Sequence, residues 1–104
     1  MDRLVLYRQV HFPPGRESVG LAWLKEAMHV RTRAGMLRHM ILRSRTDIAE
    51  YVAIMVWPDD ATYQQWNGSP ERAQLFADQP HYLVREPTHR YELVESDTVA
   101  QSPK

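Results

Sequence analysis

Two polar residues inside apolar segments are the first candidates for chemistry in this chain. His39 lies in the segment "MLRHMILRSR", and an imidazole can accept a proton near neutral pH. Arg8 interrupts the apolar segment "LVLYRQV" and can pair with an anionic oxygen. Each residue also has a purely structural interpretation. His39 would then be a half-buried, hydrogen-bonded histidine or face a dimer interface, and Arg8 would lie along the edge of a sheet.

The standard catalytic and metal-binding motifs are missing from the sequence. It contains no GxSxG elbow, no glycine-rich phosphate loop and no HExxH pair. Its five histidines are scattered without the close spacing of metal ligands, and it has no cysteine. We therefore expect no metal site and no thiolate chemistry. A helix cap explains the adjacent Asp59 and Asp60 better than general acid–base catalysis does.

The composition is typical of one soluble domain. A length of 104 residues fits a single domain, since domains usually contain about 100–200 residues. Thirteen Lys and Arg balance thirteen Asp and Glu, so the net charge provides no attraction to nucleic acid. No segment approaches the ~20 apolar residues of a membrane span, and the first apolar run is too short for a signal peptide. We therefore expect a soluble, cytoplasmic protein that binds neither membrane nor nucleic acid.

One part of the chain carries only positive charge. No acid occurs between Glu26 and Asp47, and this interval contains Arg31, Arg33, Arg38, Arg43 and Arg45. The simpler interpretation is a solvated loop and edge strand. The alternative is a surface that attracts anions.

Apolar periodicity and turn residues predict a strand–helix–strand pattern that occurs twice. The predicted strands cover residues 3–10, 36–45, 51–57 and 90–95. The predicted helices cover residues 18–30 and 61–76, and "NGSP" interrupts the second, which Ser69 can cap again. This β-α-β-β-α-β order is the ferredoxin-like α+β pattern, a four-stranded antiparallel sheet with two helices on one face. We assign residues 1–95 to the domain and residues 96–104 to a polar tail.

The first predicted helix has an apolar stripe that should face the sheet. Its members at near-helical spacing are Val19, Trp23, Ala27 and Val30, with Leu24 and Met28 widening it.

The segment "YVAIMVW" at residues 51–57 is apolar on both faces. An antiparallel sheet with one wet face should alternate apolar and polar residues, and two helices cover only one face. We therefore expect a second copy of the chain to cover the other face, as a two-fold homodimer packed sheet to sheet. The alternative is that Tyr51, Met55 and Trp57 form an exposed apolar face.

Three segments resemble a known family. "YVAIMVWPDDATYQQWNGSPERAQLF" is similar to the third strand and second helix of the antibiotic biosynthesis monooxygenase domain, of the dimeric α/β-barrel superfamily. "GMLRHMILRS" resembles its second strand and "PTHRYELV" its closing strand, so that the likeness covers most of residues 3–95. The resemblance implies a pocket between the sheet and the helices of each subunit. Members of the family oxidise aromatic polyketides or quinols with dioxygen and no cofactor, degrade haem, or modify other small metabolites.

The haem-degrading members of the family carry an Asn, a Trp and a His at three positions. Trp66 matches the Trp, but Arg8 stands at the Asn position and Phe76 near that of the iron-ligating His. The resemblance therefore does not favour haem degradation by that route.

Cofactor-free oxygenation, which the resemblance implies, requires a dry aromatic pocket, a base and a donor for the developing oxyanion. We assign the base to His39 and the oxyanion partner to Arg8, with no cofactor. The residues that we expect to line the pocket are Trp66, Trp57, Tyr51, Met55, Phe76, His81 and Tyr82. Each of them could instead belong only to the core or to a loop.

Three functions compete for this sequence. The first is a homodimeric, cofactor-independent monooxygenase that acts on a small aromatic or quinol-like molecule. The second is a non-catalytic protein of the same fold that binds a small molecule or haem. The third, an arginine-rich nucleic-acid binder, conflicts with the neutral charge and with the sheet face assigned to the dimer.

Overall fold

The computed structural model describes residues 3–77, 84–85 and 87–96. It confirms the α+β, ferredoxin-like arrangement. The predicted second helix is two short helices, separated where "NGSP" interrupts the pattern. In chain order the elements are β1 (Leu4–His11), α1 (Glu17–Arg33), β2 (Arg38–Arg43), β3 (Glu50–Trp57), α2 (Asp60–Asn67), α3 (Pro70–Ala77), β4 (Val84–Arg85) and β5 (His89–Glu92).

The sheet is antiparallel with the strand order β2-β3-β1-β4, and β5 also pairs with β1. β4 pairs with Val10 and His11 of β1, whereas β5 pairs with its first half, from Leu4 to Tyr7. The predicted fourth strand, residues 90–95, corresponds to β5, which ends at Glu92, and β4 was not predicted.

Two polar side chains start the short helices, as the sequence predicts. Two residues after the end of β3, the Asp59 carboxylate accepts a hydrogen bond from the backbone N–H of Thr62 at 2.7 Å. Hydrogen bonds from Thr62 hold the pKa of the Asp59 carboxyl below its ordinary value. The Ser69 hydroxyl accepts from the backbone N–H of Arg72 at 3.1 Å, and both bonds satisfy N–H groups that a helix start leaves free.

The turn from α1 to β2 depends on Gly35. Its φ of +114° is disfavoured for residues with a side chain. A Cβ atom at this position would also lie 2.8 Å from Cγ2 of Thr62. Gly35 therefore allows α2 to approach the end of α1.

The core lies between the sheet and the helices. The buried positions of α1 are Gly20, Leu24, Ala27, Met28 and Arg31. The predicted stripe is therefore rotated, and Val19 is 47% exposed. Leu24, Ala27 and Met28 are buried as predicted, while Trp23 and Val30 pack at the margin of the core.

The two faces of β3 differ in burial. Tyr51, Met55 and Trp57 point toward the helices and are buried, so the alternative that they form an exposed face is wrong. The residues that alternate with these, including Val52 and Ile54, occupy the other face and are half-buried.

The second face of the sheet remains apolar across neighbouring strands. Beside β3, Met40 and Leu42 of β2 expose nearly half of their surface on this face. Within the described ranges, no helix has the length and apolar character needed to cross a membrane.

Candidate functional site

The candidate site lies on the helix-covered face of the sheet. Directly opposed residues of antiparallel strands point to the same side. Arg8 of β1 is opposite Ala53 of β3, and His39 of β2 is opposite Met55. Ala53 and Met55 are both buried beneath the helices. Arg8 and His39 therefore share the covered face.

Trp57 provides an unmatched hydrogen-bond donor in this layer. Its ring is fully buried, stacks on Trp66 with ring centres 6.4 Å apart, and meets Tyr63 edge-on at 5.5 Å. Among the described residues, nothing accepts a hydrogen bond from the indole Nε1 of Trp57. A buried donor left unsatisfied costs about 1–3 kcal/mol, and such groups are rare in folded proteins. The indole N–H is therefore a candidate contact for a ligand oxygen.

His39 is half-buried close to Trp57 and is held in its neutral form. Burial, and to a lesser extent the charge of His29, lower the pKa of His39 below its ordinary value of 6.5. The imidazole is therefore mostly unprotonated at neutral pH. A neutral imidazole in this position can accept a proton from a bound acid.

Arg8 is buried but reaches away from His39. It is 6% exposed, and its Nε donates to the hydroxyl of Thr88 at 2.8 Å, just before β5 on the far edge of the sheet. Arg8 and His39 lie on strands on either side of β3, and their positions are offset by two residues along the sheet. Their Cα atoms are therefore about 12 Å apart. The structure therefore brings His39 to Trp57, and it does not bring His39 to Arg8.

A second buried arginine, Arg31, lies against the aromatic rings of α2 and α3. Arg31 is 3% exposed, so neither the solvated loop nor the anion-attracting surface describes it. Its guanidinium carbon lies 5.4 Å from the ring centre of Trp66 and 5.3 Å from that of Phe76, and Nη1 donates to the carbonyl of Ala27. Arg31 is in helical phase with Leu24 and Ala27, a periodicity that would have identified it.

Arg31 connects the aromatic residues of the helix layer. Phe76 also contacts Arg72 at 4.7 Å and meets the ring of Trp23 edge-on at 6.0 Å. Cations on aromatic rings contribute about 0.5–2 kcal/mol each, the most where water is excluded. Arg31 therefore positions Trp66 from the side of α1.

The remaining predicted wall residues are dispersed. Met55 lies between Ala53 and Trp57 on the covered face. Tyr51, six residues before Trp57, packs edge-on against Phe12 at 5.0 Å near the other end of β3. His81 and Tyr82 lie outside the described residues.

A groove lies between α1 and the two short helices. It encloses about 380 Å³ and is lined in part by Val30, Arg33, Ser69 and Trp66. Trp66 therefore stacks on Trp57 and also lines this groove. In the part of the chain that the structure describes, no group of three or more His, Cys, Asp or Glu side chains is placed to hold a metal ion.

The fold and the aromatic layer define a ferredoxin-like α+β protein with a candidate site beneath its helices. The family model of antibiotic biosynthesis monooxygenase matches residues 4–78, and the chain belongs to this family. The resemblance in the sequence is thereby confirmed. A comparison with curated proteins finds no match.

Solved structures of similar proteins show the same fold. SnoaB, a cofactor-independent oxygenase from Streptomyces nogalater, is 18% identical, with 92% of this chain and 97% of that chain covered and a TM-score of 0.81. A proposed antibiotic biosynthesis monooxygenase from Chloroflexus aurantiacus is 15% identical, with coverages of 93% and 98% and a TM-score of 0.75. A protein of unknown function from Nitrosomonas europaea is 20% identical, with coverages of 93% and 94% and a TM-score of 0.72.

Proposed function

We propose that this protein is a cofactor-independent monooxygenase that acts on a small aromatic or quinol-like molecule. The observation that carries the proposal is the buried, unmatched N–H of Trp57 on the sheet face that also holds His39. Family membership agrees with it, as does the similarity to an oxygenase that needs no cofactor.

In the proposed reaction, His39 removes a proton from an activated CH₂ group or phenol of the substrate. The N–H of Trp57 donates to the oxygen on which negative charge develops, which stabilises the anion in a dry site. The anion then reduces dioxygen. For an anthrone, the CH₂ carbon loses four electrons and becomes a carbonyl, one oxygen atom enters that carbonyl, and the other leaves as water.

Arg8 has a separate role in the proposal. Because its Cα lies about 12 Å from that of His39 and its guanidinium reaches toward Thr88, Arg8 pairs with a substrate oxygen remote from the reacting carbon. The hydroxyl of Thr88 orients this guanidinium.

We also propose that the protein is a homodimer packed sheet to sheet. Proteins of the family are typically small dimers. Val52 and Ile54 leave a half-buried apolar surface on the face away from the helices, and Met40 and Leu42 extend it. A second copy would remove this surface from water, which is favourable by about 25 cal/mol per Å² of apolar area.

Dioxygen uptake by the purified protein tests the enzymatic proposal. Anthrone and naphthohydroquinone would be supplied without metal or flavin, and the oxidised product identified by mass spectrometry. His39→Gln should reduce turnover at least tenfold, and Arg8→Gln should mainly raise KM. The matched controls are His89→Gln and Arg38→Gln, both exposed positions. Retention of the wild-type rate and KM by both site variants would refute these roles.

Binding without turnover would instead support a non-catalytic binding protein. Haem is the ligand least favoured by the geometry, because Phe76, near the position of the iron ligand in haem-degrading members, contacts two arginines. A Soret band on addition of haem would contradict that conclusion.

A further inference from the structure

The groove between α1 and the short helices continues along α3. A second cavity of about 270 Å³ shares Val30, Arg33 and Glu71 with the first and extends toward Leu75. Val30 and Arg33 lie on one side of α1, and Glu71 and Leu75 lie on one side of α3, because residues three and four apart share a helix face. The two cavities therefore form one elongated groove between two helices.

The groove combines apolar side chains with polar and charged ones. Val30 and Leu75 are half-buried side chains that pack against the core, and Trp66 contributes at its inner end. Arg33 and Glu71 are exposed and line both cavities. The groove thus presents one positive and one negative group beside an apolar surface.

These two charges are not paired with each other. Among the residues that the structure describes, the ion pair of Arg33 is with Glu26, at 4.0 Å and largely exposed, and Glu71 takes part in none. Exposed pairs of this kind contribute little. A ligand that carries both charges can therefore engage Arg33 and Glu71 at small cost. A simple carboxylate would gain from Arg33 but be repelled by Glu71.

We infer that the groove is a binding site for an amphipathic zwitterion, an α-amino acid with an aromatic or branched apolar side chain. The carboxylate would contact Arg33, the ammonium group Glu71, and the side chain Val30 and Leu75. A volume of about 380 Å³ is within the ~300–1,000 Å³ typical of small-molecule sites. The inference does not rest on the proposed oxygenase activity, because none of these four residues has a role in the proposed reaction.

Titration of the ¹⁵N-labelled protein with phenylalanine tests this site, since the probe is not a substrate for oxidation. We expect saturable shifts at the amides of Val30 and Leu75 and at the indole of Trp66. For a ligand of this size the Kd should be on the order of 1 mM. Phenylpropionate lacks the ammonium group and phenethylamine lacks the carboxylate, and each should bind about two- to fivefold more weakly.

Variants that remove one charge from the groove provide a second test of the binding site. Arg33→Gln and Glu71→Gln should each weaken phenylalanine binding about two- to fivefold. Glu26→Gln should leave it unchanged or tighten it, because it releases Arg33. Arg38→Gln, on the opposite face of the sheet, is the matched control. The inference is overturned if phenylalanine gives no saturable shift at ten times the expected Kd, if both charge-deleted analogues bind equally well, or if neither groove variant changes the Kd.

Discussion

His39 and Trp57 are diagonal neighbours on the covered face of the sheet. His39 is opposite Met55, and Trp57 follows two residues later on the same side of the adjacent strand. Diagonal neighbours of this kind have Cα atoms about 7–8 Å apart. A neutral imidazole and an unmatched indole N–H can therefore reach the same small molecule, one as proton acceptor and the other as donor.

Replacing Trp57 by Phe tests the donor. The variant keeps an aromatic ring but loses Nε1, so oxygenase turnover should fall about 10²–10³-fold, as when one oxyanion donor is removed. Stopped-flow dioxygen uptake measures this effect, and urea unfolding reports the separate cost of the smaller ring. The control is Trp23→Phe, a half-buried tryptophan that packs against Phe76. A folded Trp57→Phe protein with wild-type turnover would remove the indole from the mechanism.

His39 should make both activity and stability depend on pH. Because its pKa is lowered in the folded protein, the unfolded chain binds the proton more readily. The free energy of unfolding should therefore be constant above pH 6.5, fall as the pH drops below 6.5, and level off below the folded pKa. Turnover should fall as the pH drops through the lowered pKa of the folded protein, because the protonated imidazole cannot act as the base.

Urea unfolding at several pH values, with His39→Gln as comparison, measures this dependence. The difference between wild type and variant should shrink toward acid pH. His29→Gln removes the smaller cause of the pKa shift, so its pH dependence should be weaker than that of the wild type. A wild-type stability profile parallel to that of His39→Gln throughout would show that His39 is not perturbed.

The sequence predicts the order of the longer elements and the starts of the two short helices because those depend on local chemistry. Pro58 ends β3 because proline has no backbone N–H to donate to the sheet. Asp59 and Ser69 cap helices through hydrogen bonds to residues three positions later. The apolar run of β3 is equally local. These features need no knowledge of what packs against them.

The site is less predictable, since it depends on register and on partners distant in sequence. Both faces of β3 are apolar, so the alternation of residues does not predict which face points to the helices. In the structure, Val52 and Ile54 face away from them. Burial of Arg31 requires two aromatic rings from α2 and α3. The separation of Arg8 from His39 follows from pairing with β3, which no local pattern specifies.

A charge on the second sheet face should prevent dimer formation. Ile54 lies at the centre of the apolar face away from the helices, so Ile54→Glu would place a carboxylate in a sheet-to-sheet interface, where an unpaired charge is costly. Light scattering after size exclusion should show a dimer for wild type and a monomer for the variant. The control is Ile48→Glu in the β2–β3 turn, where the side chain is 75% exposed. A monomeric wild type would refute the dimer directly.

Two glycine substitutions separate backbone strain from steric contact. Gly15 has φ of +76° with no atom within 4 Å of an added Cβ, whereas Gly35 combines φ of +114° with the 2.8 Å contact to Thr62. Gly15→Ala should therefore cost only the left-handed backbone penalty of about 1–2 kcal/mol. Gly35→Ala should cost about 1–3 kcal/mol more, because overpacking adds to backbone strain.

Thr62→Ser identifies the steric part, since it removes Cγ2 but retains the hydroxyl and the backbone N–H that caps to Asp59. In a double-mutant cycle, Gly35→Ala should be less destabilising in the Thr62→Ser background than in wild type. A loss should remain in that background, because the backbone strain at φ of +114° is still present. Chemical unfolding of the variants measures these differences. An unchanged cost of Gly35→Ala in both backgrounds would show that α2 yields to the added methyl group, and that Gly35 is required for its φ alone.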